Sequence, residues 1–142
     1  IVGNTTNIKH YIGEMYFFRA FMYFERLKSL GDFPIITKTY PNEREALIEI
    51  SKRAPRNEVA RFILSDLDKA IEMMQNIAPS GGKNRLSKDC AILLKSRVAL
   101  YEGSWLKNFK GTAFVPNGPG CPEVLKKNQS SSLMKLLKRH KS

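Results

Sequence analysis

Histidine, cysteine and tryptophan are scarce in this chain, with two, two and one among its 142 residues. His10 and His140 lie far apart, and neither has a Cys, Asp or Ser at a spacing that makes a nucleophile or metal pair. Both are therefore expected to be structural or solvated, and no cluster with metal-ligand spacing is present. Cys90 and Cys121 suggest neither a disulfide framework nor a metal site. Cys90 is expected to be a small core residue and Cys121 an incidental thiol. No apolar run of about 18 residues occurs, so no helix of this sequence spans a membrane. The pair Gly81-Gly82 lacks the lysine pattern that opens a phosphate-binding helix. A secretory leader is not visible. The chain starts at Ile1, which suits an internal piece and leaves location open. The inventory for catalysis is thin, and no cofactor is expected.

Acidic residues are outnumbered 13 to 24 by Lys and Arg, for a formal net charge of +11. The excess is uneven. Residues 121–142 hold six basic side chains and one acid, which leaves 18 basic and 12 acidic side chains interspersed over residues 1–120. The body is mildly basic and has no basic stripe. The tail, with Leu133, Leu136 and Leu137 at helical spacing, needs its own explanation.

What the sequence has in quantity is helical periodicity. From about Thr6 to Leu30, Ile12, Met15, Phe18 and Met22 recur at helical steps, and Tyr16, Phe17, Phe21, Tyr23 and Phe24 fill the other faces. A helix apolar on most sides is expected to be buried between neighbours. Gly31 suits its left-handed C-cap and Pro34 forbids continuation, with Ile35 to Thr37 extended beyond them. Glu43 to Ile50 predicts a short helix. A second long helix is predicted from Pro55, placed at the first helical position, to Asn76. Its stripe is Val59, Phe62, Ile63, Leu67, Ala70, Ile71 and Met74. Ser87 is the expected N-cap of a third helix. There Ala91, Leu94, Val98 and Tyr101 share a face, and Gly103 and Ser104 loosen the end near Trp105. Glycines and prolines from Gly111 to Pro122 then predict a loop. No strand alternation of any length is found. The fold class is all-α, helix pairs resembling a tetratricopeptide-like solenoid, although no clean repeat of about 34 residues is present.

Within the helices, Arg19 and Arg97 sit among apolar residues and would need carboxylate or carbonyl partners if partly buried. Asp66 lies near the apolar stripe and is expected to pair with a neighbouring helix, whereas Asp68 is expected to be a solvated surface charge.

Three segments together resemble the SusD/RagB family. They are EMYFFRAFMYFERLKSLGDFPII at 14–36, RAPRNEVARFILSDLDKAI at 53–71 and RLSKDCAILLKSRVALYEGSW at 85–105. The first is similar to an aromatic helix with an Arg-Ala step that ends in Gly-Asp-x-Pro. The second is similar to a Pro-started helix with a central Asp-Leu-Asp-x-Ala-Ile, and the third to an Arg-Val-x-Leu-Tyr helix. The resemblance covers roughly residues 10–120 and only part of a family member. It implies a non-catalytic, lipid-anchored protein of the outer-membrane surface of Bacteroidota, built on tetratricopeptide-like helix pairs. Its partners would be an oligosaccharide or other nutrient and a TonB-dependent, SusC-like transporter. Nucleic acid is not an expected partner, and membrane attachment would come only through a lipid anchor. Departures from the family pattern are the absent lipid-bearing Cys and C-terminal part, Ala54 where a capping Ser or Thr commonly precedes the proline, and Cys121 in place of an aromatic.

Sugar binding uses aromatic faces stacked on pyranose rings. Tyr101, Trp105 and Phe109 follow at four-residue steps beside the Gly/Pro loop and form the candidate platform. The alternative is that they anchor that loop to the helix core. Loops 31–50 and 106–120 are the expected contact surfaces. Two other functions stay open: a helical scaffold that binds another protein, and a basic nucleic-acid binder whose affinity would fall steeply with salt and reside in the tail. The domain division is a SusD-like helical fragment at 1–120 and a basic tail at 121–142. The tail is a native basic amphipathic segment, a disordered one, or out-of-frame translation, since a shifted frame across Leu133 to Lys141 admits Asp-Glu-Ala-Ile-Glu-Ala-Ala-Gln.

Overall fold

The computed structural model describes residues 5–80 and 82–115. The expected basic tail, with Cys121, His140 and the leucines at 133, 136 and 137, lies outside the described residues, as do residues 116–120. Among the described residues four α-helices follow in order: α1 (Thr5–Leu30), α2 (Arg44–Ile50), α3 (Arg56–Met73) and α4 (Lys88–Asn108), with a short 3-10 turn at Gly82–Asn84. Strands are absent among the described residues. The extended stretch after Pro34 amounts to one isolated antiparallel bridge between Phe33 and Ala54.

α3 lies between α1 and α4, which scarcely touch each other. It runs antiparallel to both. The start of α1 meets the end of α3 at Gly13 and Met74, and the end of α1 meets the start of α3 at Asp32 and Arg56. Arg56 at the start of α3 in turn meets Glu102 late in α4. The apolar stripe of α3 explains this layer order. Val59, Ala60, Ile63 and Leu67 are fully buried, with Phe24 and Leu27 of α1 and Leu94 and Val98 of α4 in the same core, and the buried Ala70 packs in a second cluster with Met74 and Ala91. Truncating a fully buried residue such as Leu27 or Leu67 to Ala costs about 2–5 kcal/mol in cores of this kind.

The helix ends follow backbone chemistry. Gly31 has φ +72°, and its N–H bonds to the Leu27 carbonyl at 3.0 Å, closing α1 as expected. Pro55 is the residue before α3, extended at φ −63°, ψ 150°, rather than its first helical residue. Ser87 precedes α4, but its side chain makes no capping bond. Its hydroxyl lies 3.6 Å from the thiol of Cys90, which is half-buried instead of in the core. α4 passes through Gly103 and Ser104 without a break and ends only at Asn108. Gly103 is buried there, so close packing holds a residue whose backbone freedom alone would weaken the helix.

Two expectations about α1 and α4 are corrected. α1 is not buried on most sides: Met15 is 60% exposed and Met22 54%, with Ile12, Phe18 and Phe21 also open. An all-round apolar helix calls for neighbours on every side, and among the described elements only α3 packs extensively on it. Arg97 is exposed on α4 and needs no buried partner. The reading of Arg19 and Asp66 holds. Arg19 Nε and Nη2 donate to the two Asp66 carboxylate oxygens at 2.6 and 2.8 Å, and Asp66 is fully buried. That fork is the strong geometry for an arginine–carboxylate pair, and it holds the Arg19 pKa above its ordinary value. Asp68 is exposed and pairs with Lys95 of α4.

His10 is structural, as expected. It is fully buried, its Nδ1 accepts the Gln75 N–H at 2.9 Å, and its Nε2 stands 3.3 Å from Glu14 Oε1. Arg85 closes the group by donating to both Glu14 oxygens at 3.0 and 2.9 Å, which holds the Glu14 carboxyl below the usual carboxylate range.

Candidate functional site

The end of α1, the start of α3 and the last turn of α4 converge on one side of the molecule, and a cleft of about 310 Å³ opens there. Its volume sits at the lower end of the range for small-molecule sites. Lys28, Ser29 and Asp32 line one wall, Arg53 and Arg56 a second, and Trp105 and Phe114 a third.

Each wall has a local cause. The tight turn at Gly31 places Asp32 so that its Oδ1 accepts the Arg56 backbone N–H at 2.9 Å. This supplies, from the turn after α1, the side-chain cap that Pro55 cannot give to α3. The Phe33–Ala54 bridge has two backbone bonds of 3.1 Å and fixes the chain on either side of the cleft. Tyr23 secures the same strip, with its hydroxyl accepting the Ile36 N–H at 2.8 Å and its ring edge-on to Phe33 and Phe62.

Arg56 forms the floor. Its Nε donates to Glu102 Oε1 at 3.0 Å and its Nη2 to Oε2 at 2.8 Å. Both side chains are withdrawn from water, with Glu102 fully buried. Burial pushes the Glu102 carboxyl above its ordinary range, and the Arg56 guanidinium draws it part of the way back. The guanidinium carbon also lies 4.1 Å from the centre of the Trp105 ring, within cation–π reach.

The three rings expected from sequence are brought together. Tyr101 and Trp105 stack at 6.2 Å, and Trp105 and Phe109 lie 4.4 Å apart with their planes tilted by 35°. All three are half-buried. The ladder continues to Phe114, edge-on to Phe109 at 5.7 Å, and Trp105 Nε1 donates to the Phe114 carbonyl at 3.1 Å. Of the three, Trp105 lines the cleft. The ring that stands most open at the rim is Phe114, 63% exposed, which sequence spacing did not single out. Its place depends on the fold-back of residues 109–115, where Thr112 Oγ1 donates to the Phe109 carbonyl at 2.7 Å. Asp32 falls in the expected contact loop 31–50, whereas Lys28, Ser29 and Arg53 were hidden in sequence, because they meet only when α1 and α3 are packed.

A layer of antiparallel helices with a ring-lined cleft at one end defines an all-α scaffold of tetratricopeptide-like helix pairs. Among protein families, a SusD-like family described as starch-binding and associating with the outer membrane matches residues 2–100. The chain belongs to that SusD-like family. Among solved structures it is similar to a SusD-like protein from Bacteroides fragilis, with 33% identity and a TM-score of 0.62. The likeness covers 77% of this chain and 21% of that one, so this chain spans about a fifth of that protein. No match was found among curated proteins. Among the described residues, no helix is long and apolar enough to cross a membrane.

Proposed function

We propose that this chain contributes an oligosaccharide-binding site to a lipid-anchored surface protein of the outer membrane. The protein captures glycan by equilibrium binding, performs no covalent chemistry, and hands its ligand to a TonB-dependent transporter on which it docks. The carrying observation is the cleft itself, where the Trp105 and Phe114 rings stand beside Ser29, Asp32, Lys28 and Arg53. Apolar ring faces next to hydroxyl, carboxylate and cationic groups are the chemistry that recognises a pyranose, through its C–H face and its hydroxyls together. In this reading Trp105 and Phe114 contact sugar, and Tyr101 and Phe109 hold Trp105 in place. The family's starch-binding, outer-membrane description supports the same conclusion. The buried ionisable groups support binding over catalysis, since His10, Glu14, Asp66 and Glu102 are each tied to a structural partner.

Calorimetric titration with a malto-oligosaccharide tests this, on the chain and on its Phe114→Ala variant. Saturable binding that weakens in the variant is expected. Binding unaffected by Phe114→Ala would place the sugar elsewhere, and no binding to any oligosaccharide would overturn the proposal.

A second reading, a scaffold for another protein, draws on the open apolar residues Ile12, Met15, Phe18 and Met22 of α1. It predicts that soluble glycans leave the chain unchanged.

A further inference from the structure

The charges around the cleft carry a statement about which sugars it takes, resting on the reading of the cleft as an oligosaccharide site. Three cationic side chains line it, Lys28, Arg53 and Arg56, against a single acid, Asp32. Of the acids that offset these cations, Glu102 stands behind the walls and Glu25 lies exposed beside Lys28. Glu102 is fully buried and takes Arg56 Nε and Nη2. Arg56 Nη1 remains beside Gly31, where the missing Cβ would lie 3.7 Å from it. Asp32 is the one acid of the lining, its Oδ1 turned to the Arg56 N–H. Lys28 is shared with Glu25 on the exposed surface of α1, at 2.6 Å. Among the described residues Arg53 has no ion pair, and its backbone is held in place by the neighbouring Ala54 bridge.

We infer that this cleft takes an acidic oligosaccharide, in which a uronate carboxylate or a sulfate sits between Lys28 and Arg53 while its ring lies against Phe114 and Trp105. The anion accepts N–H bonds from the two side chains. Such charge-assisted bonds are stronger than those of a neutral hydroxyl. The mildly basic body of the chain adds a field of the same sign.

The test is calorimetric titration at low ionic strength with two ligands of equal length, an oligogalacturonate and a malto-oligosaccharide, on the wild type and a Lys28→Ala/Arg53→Ala variant. Both substituted side chains are exposed, so the fold is retained. The acidic ligand is expected to bind at least about fivefold more tightly than the neutral one, an advantage of the order that two partly exposed charge pairs supply. Raising the salt to about 0.5 M should shrink that advantage by screening, and the double variant should bring the ratio close to one. Equal affinity of the wild type for both ligands overturns the inference and leaves oligosaccharide binding standing. An acidic preference that survives in the double variant also overturns it, since the charge is then read elsewhere. No binding of either ligand overturns both.

Discussion

Asp32 and Arg56 stand 24 positions apart in sequence, yet the Asp32 carboxylate accepts the Arg56 backbone N–H at 2.9 Å and closes the end of α1 onto the start of α3. The bond sits on the wall of the cleft and substitutes for a local cap. Asp32→Ala should therefore lower stability by about 1 kcal/mol, the usual cost of a lost cap, or about 3–6 °C in a thermal melt. Asp32→Asn keeps an acceptor and should lose clearly less. Equal melting of the wild type and the alanine variant would show that the cap carries no stability.

Much of the helical layout was legible in sequence because it rests on local signals. Gly31 and the apolar stripe of α3 needed no knowledge of neighbours, and Asp66 could be paired with another helix from its place beside that stripe. The site was legible only in part. The four-residue spacing of Tyr101, Trp105 and Phe109 showed that the rings gather, but not that Trp105 alone of the three reaches the cleft. Phe114, Arg53 and Lys28 carry no pattern, since their meeting depends on long-range packing. The exposure of Met15 and Met22 was hidden for the opposite reason. Their periodicity states that a helix face is apolar, not which element covers it.

Arg56 and Glu102 are the pair on which the floor of the cleft depends. Glu102→Gln removes the charge that balances a buried guanidinium and should cost about 3–5 kcal/mol. Replacing both residues by apolar ones, Arg56→Met with Glu102→Leu, should cost much less than the sum of the single changes. Urea unfolding of the four proteins of this cycle measures the coupling, and additive losses would contradict it.

Gly13 marks the close approach of α1 to the end of α3. A Cβ there would meet Met74 Cγ at 2.7 Å, Met73 Cβ at 3.1 Å and the Ala70 carbonyl at 3.3 Å. Alanine normally stabilises a helix interior over glycine by about 0.5–1 kcal/mol. Here overpacking, at about 1–3 kcal/mol, should win, and Gly13→Ala should melt below the wild type. A higher melting temperature would show that Met74 moves aside freely.

Glu14 supplies a pH signature. Arg85 holds its folded pKa below the unfolded value, so its contribution to stability is complete above the unfolded value. That contribution is lost as pH falls through the folded one. Glu102, raised by burial, contributes the opposite slope, which makes the difference from a variant the cleaner reading. Melting temperatures from about pH 7 down to about pH 3 should fall more for the wild type than for Glu14→Gln. Parallel curves would mean that the Arg85 pair does not favour the charged carboxylate.

Trp105 is the chain's single tryptophan and lines the cleft, so its fluorescence reports on that site alone. Titrating an oligosaccharide that binds by calorimetry should produce a saturable change in Trp105 emission with the same dissociation constant. Calorimetric binding with unchanged Trp105 emission would contradict the assignment of the cleft as the glycan site.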